Sequence, residues 1–342
     1  MVAVKAFVSG CAGTELTDEE RVFFAVEQPL GLILFKRNCD NPAQIRALVG
    51  AFRDVVGRAD APVLIDQEGG RVCRLRPPNW SDYPSARVLG GIAAEDAARG
   101  ARAAWLHGRL LAADLRDLGI TIDCAPVLDV IAPGASEAIG DRSFGGDPAM
   151  VARLGRAVAD GLIAGGVAPV IKHIPGQGRA AVDSHYVLPV VEADLDSLSR
   201  VDFAPFVALA DLPAAMTSHT VFSAIDPMNP ATTSRIVIRD IIRERIGFDG
   251  LLFCDDVSMN ALAGDHRERG RAIFDAGCDI VLHCSGRMDD MRAIADVSPL
   301  LAGKARERAG RVLALDKAPE PLDRAAAREE YRALIGAAWV GA

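Results

Sequence analysis

The chain has 342 residues, of which 50% are apolar and 25% charged, and its formal net charge at pH 7 is −8. This balance is typical of a folded globular protein and argues against a nucleic-acid binder, because such proteins draw most of their affinity from a basic surface that neutralises phosphates. No apolar run reaches the roughly 18 residues that a membrane span requires, and Lys5 interrupts the apolar start, so we expect neither a membrane partner nor an export signal.

Short apolar, β-branched runs recur along the chain and predict eight strands. Most of these runs are nearly continuously apolar, which is typical of parallel strands that helices cover on both faces. In chain order the predicted strands are Val2–Val8, Gly31–Phe35, Pro62–Ile65, Ile120–Ala125, Val167–Lys172, Ala214–Thr217, Gly250–Cys254 and Asp279–His283.

Helical periodicity fills the segments between these strands, as in Thr17–Val26, Asn41–Val56 and the long amphipathic stretch Arg99–Leu118. Eight strand–helix repeats over about 285 residues match an α/β fold of the (β/α)8 TIM-barrel type. An open dinucleotide-binding sheet is disfavoured because no Gly-x-Gly-x-x-Gly follows the first strand. We predict that residues 1–342 form a single TIM-barrel domain, with 303–342 as C-terminal closing helices.

Cysteine and histidine spacing gives no sign of a disulfide framework or a metal site. The seven cysteines are odd in number, scattered and without a Cys-x-x-Cys pair, which favours a reducing cytoplasm. No His-Glu-x-x-His occurs, so we expect no metal and no other cofactor. His107 and His266 are predicted to be structural or exposed, and the role of His283 stays open.

Polar side chains follow four of the predicted strands at their carboxyl ends, where barrel enzymes carry their active sites. The segments are Asp66–Arg71, Lys172–Gly176, Ser218–His219 and Asp255–Asp256. Because these ends meet at one mouth of a barrel, we expect the side chains to converge on a single site.

Asp255 and Asp256 lie at a strand-to-helix junction, where one acidic side chain can simply cap a helix. Two successive aspartates point in different directions, so we expect Asp255 to face the barrel mouth and Asp256 to support the turn. The residues alone leave open which one is catalytic.

Asp183 precedes His185 by two residues, at the end of a loop rich in glycine. An aspartate so placed can orient an imidazole and stabilise its protonated form, giving a general acid/base. The alternative is that Asp183 merely holds a turn, but the preceding strand-end cations Lys172 and His173 favour a functional role.

Arg142 lies in the glycine-rich loop 140–146, which can approach a ligand closely. It is placed to bind a hydroxyl or a carboxylate. From the sequence, an ion pair with a loop aspartate such as Asp141 or Asp147 is an equally good interpretation.

These residues resemble glycoside hydrolase family 3, and within it the single-domain bacterial β-N-acetylhexosaminidases of the NagZ type. That branch has Lys-His-Phe-Pro-Gly-His-Gly followed by Asp-Ser-His, and this chain has Lys172-His-Ile-Pro-Gly-Gln-Gly178 and Asp183-Ser-His185. Ile174 replaces the phenylalanine, and Gln177 replaces the second histidine with a side chain that cannot titrate. Further likeness lies at Gly31–Phe35, Asp66–Arg74, Gly140–Phe144, Met216–His219, Gly247–Gly250 and Asp255–Met259.

The resemblance implies a retaining exo-β-N-acetylglucosaminidase that removes terminal GlcNAc from peptidoglycan fragments. It implies that Asp255 is the nucleophile and that Asp183 and His185 form the acid/base dyad, in place of the usual second carboxylate. The substrate-binding residues it implies are Asp66, Arg74, Arg142, Lys172 and His173. The length leaves no room for the extra sandwich domain of other members, so we expect the GlcNAc-specific branch, a monomer and an amino-sugar or muropeptide substrate.

Three alternatives remain at this level. A glycoside phosphorylase could use the same site, because a histidine base would not repel a phosphate dianion as a carboxylate would. An aldolase-like barrel could use Lys172 as a Schiff-base amine. A non-catalytic sugar-binding barrel is the third.

Overall fold

The structure is a computed structural model that describes residues 3–184 and 186–336. Parallel strands alternate with helices, so the predicted α/β class is confirmed. The strands are β1 (Lys5–Ser9), β2 (Pro29–Leu34), β3 (Val63–Ile65), β4 (Ile122–Asp123), β5 (Ala168–Pro169), β6 (Ile171–Ile174), β7 (Val190–Val191), β8 (Ala214–Thr217), β9 (Val221–Phe222), β10 (Leu251–Phe253) and β11 (Val281–His283). The helices are α1 (Asp18–Glu27), α2 (Pro42–Val56), α3 (Ala86–Glu95), α4 (Ala97–Arg116), α5 (Pro148–Ala164), α6 (Leu195–Arg200), α7 (Ala204–Ala208), α8 (His266–Ala276), α9 (Met288–Val297), α10 (Gly303–Leu313) and α11 (Arg324–Ile335), with a π-helix at Val237–Arg245.

The strands pair in parallel ladders. The larger sheet has the order β11-β1-β2-β3-β4-β5, a second sheet has the order β10-β8-β6, and β7 pairs with β9. Val170 alone separates β5 from β6, and a parallel bridge from Phe253 to Ile280 links the end of β10 to the residue before β11. The strands of the two larger sheets therefore run in the same direction, and their carboxyl ends share one edge.

Burial and capping explain the local structure. Every residue of β2, β6 and β8 is buried, as expected for strands covered on both faces. Helix α1 begins at a capping box, in which Thr17 Oγ1 accepts from the Glu20 amide at 3.1 Å and Glu20 Oε2 accepts from the Thr17 amide at 2.8 Å. Helix α2 is capped at its start by Asn41, whose side chain accepts hydrogen bonds from the amides of Ala43 and Gln44. It is capped at its end by Gly57, which has φ +62°.

All eight predicted strands are present, and only Ala214–Thr217 keeps both of its predicted ends. The fifth predicted strand, Val167–Lys172, differs most. It is interrupted because Pro169 has no amide hydrogen and the Val170 amide instead donates to Asp123 at 2.9 Å and Ala125 at 3.1 Å. The pair β7 and β9 was not predicted, because two-residue strands are too short to show a period. The described part of segment 303–342 contains α10 and α11, and residues 337–342 lie outside the described residues.

Helix α11 packs against α4. Tyr331 Oη lies 2.7 Å from His107 Nδ1, and Arg328 forms an ion pair with Asp114 at 2.9 Å. His107 is therefore structural, as predicted. No helix within the described ranges combines the length and apolar character needed to cross a membrane.

Candidate active site

A cavity of about 230 Å³ opens at the carboxyl ends of the strands. It is lined by seven of the eight candidate site residues, Asp66, Arg74, Arg142, Lys172, His173, Asp183 and Asp255. The eighth, His185, lies outside the described residues. The expected convergence is thus seen for the strand ends at Asp66, Lys172 and Asp255, whereas Ser218 and His219 are not among the lining residues.

Asp66 follows β3 and is held between two cations. Its Oδ1 accepts from Lys172 Nζ at 2.7 Å, and its Oδ2 accepts from Arg74 at 3.0 Å. Burial alone would raise the pKa of Asp66, but the charges of Lys172 and Arg74 outweigh burial and hold it below its usual range. Asp66 is therefore an anion that fixes two cationic donors in the pocket wall.

Glu68 provides the second anion of this cluster, and the sequence did not single it out. Its carboxylate accepts two hydrogen bonds from Arg142, both at 2.8 Å, and lies 2.6 Å from Lys172 Nζ. Glu68, and neither Asp141 nor Asp147, is thus the ion-pair partner of Arg142, because the turn after β3 carries it inward. Burial opposes its ionisation, but Arg142 and Lys172 lower the pKa of Glu68 to about 2.

The backbone of the turn at Glu68 depends on its glycine. Gly69 has φ +105°, and a Cβ there would lie 2.3 Å from the Pro84 carbonyl oxygen. The Glu68 carbonyl accepts from His107 Nε2 at 2.9 Å. Helix α4 therefore positions Glu68, which in turn positions Arg142.

Lys172 is the centre of these ion pairs and is 2% exposed. Burial would lower its pKa, yet the neighbouring carboxylates of Asp66 and Glu68 raise the pKa of Lys172 above its usual range. A Schiff-base lysine needs a neutral amine, so this lysine acts as a hydrogen-bond donor and the aldolase interpretation is not supported.

His173 is oriented by a buried aspartate. Its Nδ1 donates to Asp129 Oδ2 at 2.7 Å, because a carboxylate can only accept. Asp129 Oδ1 also accepts from the backbone amides of His173 at 3.3 Å and Gln177 at 2.7 Å. The other ring nitrogen of His173, Nε2, lies 3.4 Å from Arg142 Nη2. Asp129 holds both the ring and the loop that follows it.

Asp255 and Asp256 both line the cavity, but their surroundings differ. Burial would raise the pKa of Asp255, but the positive charge that His173 and His219 can carry lowers it, so Asp255 stays ionised on the cavity wall. Asp256 Oδ1 accepts from the amides of Ser258 at 3.0 Å and Cys284 at 3.1 Å, while burial and Asp255 raise the pKa of Asp256. Asp256 thus supports the turn and the neighbouring strand end.

The loop that carries Asp183 begins in the pocket wall. Gln177, which replaces the histidine of the family motif, is 4% exposed and donates from Nε2 to Ser184 Oγ at 3.2 Å. Asp183 and Ser184 both line the cavity. The uncharged Gln177 therefore connects the strand-end turn to the Asp183 segment.

Asp129 was missed from the sequence, whereas Glu68 and His219 lay in predicted strand-end segments without an assigned role. Asp129 follows the short strand β4 within Ala125–Val130, so the strand-end rule could have found it. His219 was noted at a strand end without a role, and the structure shows that its Nε2 bonds the Asp256 carbonyl oxygen at 3.0 Å. The position of Glu68 depends on a turn that the sequence does not specify.

The arrangement can stabilise an attacking carboxylate and bind a polar ligand. The pKa of Asp255 is lowered and its carboxylate lies on the cavity wall without an ion pair to any described residue, so it is available as a nucleophile. The donors of Arg74, Arg142 and Lys172 are fixed and can orient hydroxyl or carbonyl oxygens. The cavity is slightly below the usual 300–1,000 Å³ of small-molecule sites, which suits one small ring.

Comparison with known proteins gives consistent relatives. The model of the glycosyl hydrolase family 3 N-terminal domain matches residues 4–315. A β-hexosaminidase of Thiobacillus denitrificans is 40% identical over 303 residues, which cover 86% of this chain and 83% of that protein. A β-hexosaminidase of Aromatoleum aromaticum is 36% identical over 317 residues, which cover 91% of this chain and 87% of that protein. The crystal structure of NagZ from Neisseria gonorrhoeae with N-trifluoroacetyl-D-glucosamine superposes with a TM-score of 0.87 at 33% identity, covering 98% of this chain and 99% of that one.

Proposed function

The chain belongs to glycosyl hydrolase family 3 and is a glycoside hydrolase, and on this basis we propose that it is a retaining exo-β-N-acetylglucosaminidase acting on peptidoglycan fragments. The observation that carries the proposal is the partly buried Asp255 on the wall of a small cavity, where its surroundings lower its pKa. The β-hexosaminidase relatives support the activity and do not favour the phosphorylase or the binding-protein alternative.

The proposed substrate carries a terminal, non-reducing GlcNAc. The relative from Neisseria gonorrhoeae was solved with an N-acylated glucosamine, and that compound class suits a small polar cavity. Asp66, Arg74, Arg142, Lys172 and His173 are proposed to bind the sugar. We propose muropeptide-type fragments as the source of GlcNAc, so that the reaction serves cell-wall recycling.

The first chemical step forms a covalent glycosyl-enzyme. A carboxylate oxygen of Asp255 attacks the anomeric carbon and makes an ester bond as the glycosidic bond breaks. His185, oriented by Asp183, gives its proton to the departing oxygen. Lowering of the Asp255 pKa by its surroundings supports this role, because the nucleophile must be ionised before attack.

The second step releases the sugar. The neutral His185 takes a proton from water, the water oxygen attacks the anomeric carbon, and the Asp255 carboxylate leaves. Two displacements at one carbon return the β configuration, so the mechanism is retaining.

We further propose that the two parallel sheets join into a closed eight-stranded barrel around this site. Only Val170 separates β5 at one edge of the larger sheet from β6 at one edge of the second sheet, which supports closure there. The Phe253–Ile280 bridge connects the opposite edges of the two sheets and supports closure on that side. A single domain over residues 1–342 follows from this proposal.

The proposed setting is the cytoplasm, with the protein acting as a monomer without a nucleic-acid or membrane partner. All seven cysteines are free thiols, six of them buried, which supports a reducing compartment. Fractionation of the cells tests the location, and size-exclusion chromatography with light scattering tests the monomer.

Hydrolysis of an aryl β-N-acetylglucosaminide, followed by proton NMR with and without phosphate, tests the function. The proposal predicts free GlcNAc in both buffers, with the β anomer appearing first. Appearance of GlcNAc-1-phosphate only with phosphate would indicate a phosphorylase, and a first-formed α anomer would contradict retention.

Leaving-group dependence tests His185 separately. A general acid matters most when the departing oxygen is basic, so His185→Ala should keep more activity on aryl glycosides with acidic phenols. Equal losses on good and poor leaving groups would contradict the acid role.

A further inference from the structure

A second group of polar side chains lies outside the pocket. His266, His283 and Asp290 each offer a nitrogen or an oxygen atom, and these atoms lie within 4.8 Å of one another. His283 ends β11, His266 begins α8, and Asp290 lies in the first turn of α9. Their separation along the chain matches no metal-binding motif, so the sequence did not group them.

Two ring nitrogens of this group lack a partner among the described residues. His283 is fully buried, and its Nε2 bonds Ser285 Oγ at 2.9 Å while its Nδ1 has no hydrogen-bond partner. His266 contacts Asp290 through Nδ1 at 3.4 Å, and its buried Nε2 is also without a partner. Buried polar atoms are normally paired, so two such atoms on adjacent rings indicate a ligand.

The protonation states suit metal binding. Burial, followed by the charge of the neighbouring His266, lowers the pKa of His283 to about 4, whereas Asp290 acts in the opposite direction. His283 is therefore neutral at pH 7, and a neutral imidazole nitrogen has a free lone pair.

Asp290 is held only by long contacts. Its Oδ2 lies 3.3 Å from both Ser285 Oγ and Arg287 Nε, and its Oδ1 lies 3.4 Å from His266. Arg287 is an exposed residue that can move away at little cost. The carboxylate is thus free to exchange these contacts for a stronger one.

We propose that His266, His283 and Asp290 bind a divalent cation of the zinc class. Two imidazoles and one carboxylate are a common three-ligand set for Zn²⁺, with water in the fourth position. Metal–ligand distances of about 2.0–2.2 Å in a tetrahedron place ligand atoms about 3.3–3.6 Å apart. The three ligand atoms lie within 4.8 Å of one another, so no pair has to close by more than about 1.5 Å. His266 and Asp290 have side chains 23% and 16% exposed, which leaves room for that movement.

The bound cation would fasten three elements at the edge of the pocket. Cys284 follows His283, lines the cavity, and donates its amide to Asp256. The cation is therefore a structural clamp on the strand end beside the active site, and it does not touch the substrate. This inference does not depend on the proposed glycosidase activity.

Titration of the full-length, metal-free protein with Co²⁺, read by visible absorption, tests the site, and the Tm shift caused by Zn²⁺ gives a second readout. The native protein is expected to bind one equivalent and to melt at a higher temperature with Zn²⁺. His266→Gln and Asp290→Asn should each weaken binding by more than the ~10–100-fold that loss of an outer partner of a ligand costs. The matched control is Asp289→Asn, an exposed acid one residue away, which should bind like the native protein.

The pocket itself offers carboxylates and histidines, so Asp255→Asn is titrated in parallel and should keep the cation. Absence of binding to the native protein would overturn the proposal. Unchanged binding in both His266→Gln and Asp290→Asn, or loss of binding in Asp255→Asn, would also overturn it. Circular dichroism of the metal-free variants distinguishes a lost ligand from a lost fold.

Discussion

Replacement of Glu68 by glutamine removes one anion from the cluster that holds Lys172 and Arg142 in place. The shape of the side chain is kept, and one amide oxygen can still accept a hydrogen bond. Arg142, whose side chain is only 13% exposed, loses its carboxylate partner, and Lys172 keeps Asp66 alone. We expect lower stability together with lower activity, because both cations line the cavity.

The expected loss of stability follows from two arguments that agree. Removing one partner of a buried ion pair costs about 3–5 kcal/mol. Burial opposes ionisation of Glu68, but Arg142 and Lys172 lower its pKa from 4.5 to about 2, which corresponds to about 3 kcal/mol at pH 7. We therefore expect Glu68→Gln to lower the free energy of unfolding by about 3 kcal/mol.

Urea denaturation at pH 7 measures the difference, with an unchanged m-value indicating the same exposed surface. The control is Asp141→Asn, which breaks the exposed ion pair of Arg71 and Asp141, 47% and 42% exposed, and should cost only ~0.2–1 kcal/mol. Because the folded-state pKa of Glu68 is depressed, its stabilisation is complete above about pH 4.5 and disappears as the pH falls towards 2. The reasoning would be refuted if Glu68→Gln lost no more unfolding free energy at pH 7 than the control variant. It would also be refuted if the difference in unfolding free energy between Glu68→Gln and the native protein did not shrink as the pH falls.

Four further substitutions test the site. Asp255→Asn should lower kcat at least ~10³-fold because it removes the nucleophile, whereas Asp256→Asn should mainly lower Tm. Steady-state kinetics measures the first effect and thermal melts measure the second. A larger loss of kcat in Asp256→Asn than in Asp255→Asn would contradict the assignment. Asp129→Asn places an amide group opposite His173 Nδ1 and removes the hydrogen bond from that nitrogen to the Asp129 carboxylate. Loss of a hydrogen bond to a charged group should lower kcat/KM ~10–100-fold. A kcat/KM equal to that of the native protein would show that the orientation of the His173 ring is unimportant. Gln177→His adds a buried group that acid must charge, so kcat/KM should fall more steeply from pH 7 to 5 than in the native protein, and parallel pH profiles would argue against this.

The fold was predictable because buried parallel strands are continuously apolar. Ala214–Thr217 was predicted with its observed ends, since it is mostly apolar, Pro213 precedes it and Ser218 follows it. The break at Val170 depends on hydrogen bonds to Asp123 and Ala125 in a distant segment, and such bonds leave no local period in the sequence.

The site was predictable as far as strand ends and motifs reach. Asp66, Lys172 and Asp255 follow apolar runs directly, so their convergence follows from the direction of the strands. Glu68 could not be recognised as the partner of Arg142, because 74 residues separate them and the turn at Gly69 decides where the carboxylate points. The sequence offered an ion pair with a loop aspartate as an equally good interpretation of Arg142, since only near neighbours are visible in a sequence.

The central claim is that Asp255 carries the sugar during the reaction. A fluorinated N-acetylglucosaminyl substrate that forms the glycosyl-enzyme faster than it hydrolyses should label the protein, and peptide mapping by mass spectrometry locates the label. The account predicts one N-acetylhexosaminyl ester on Asp255, absent from Asp255→Asn and present in Asp256→Asn. A label on another residue, or turnover by the native enzyme with an α-configured first product and no label, would contradict it.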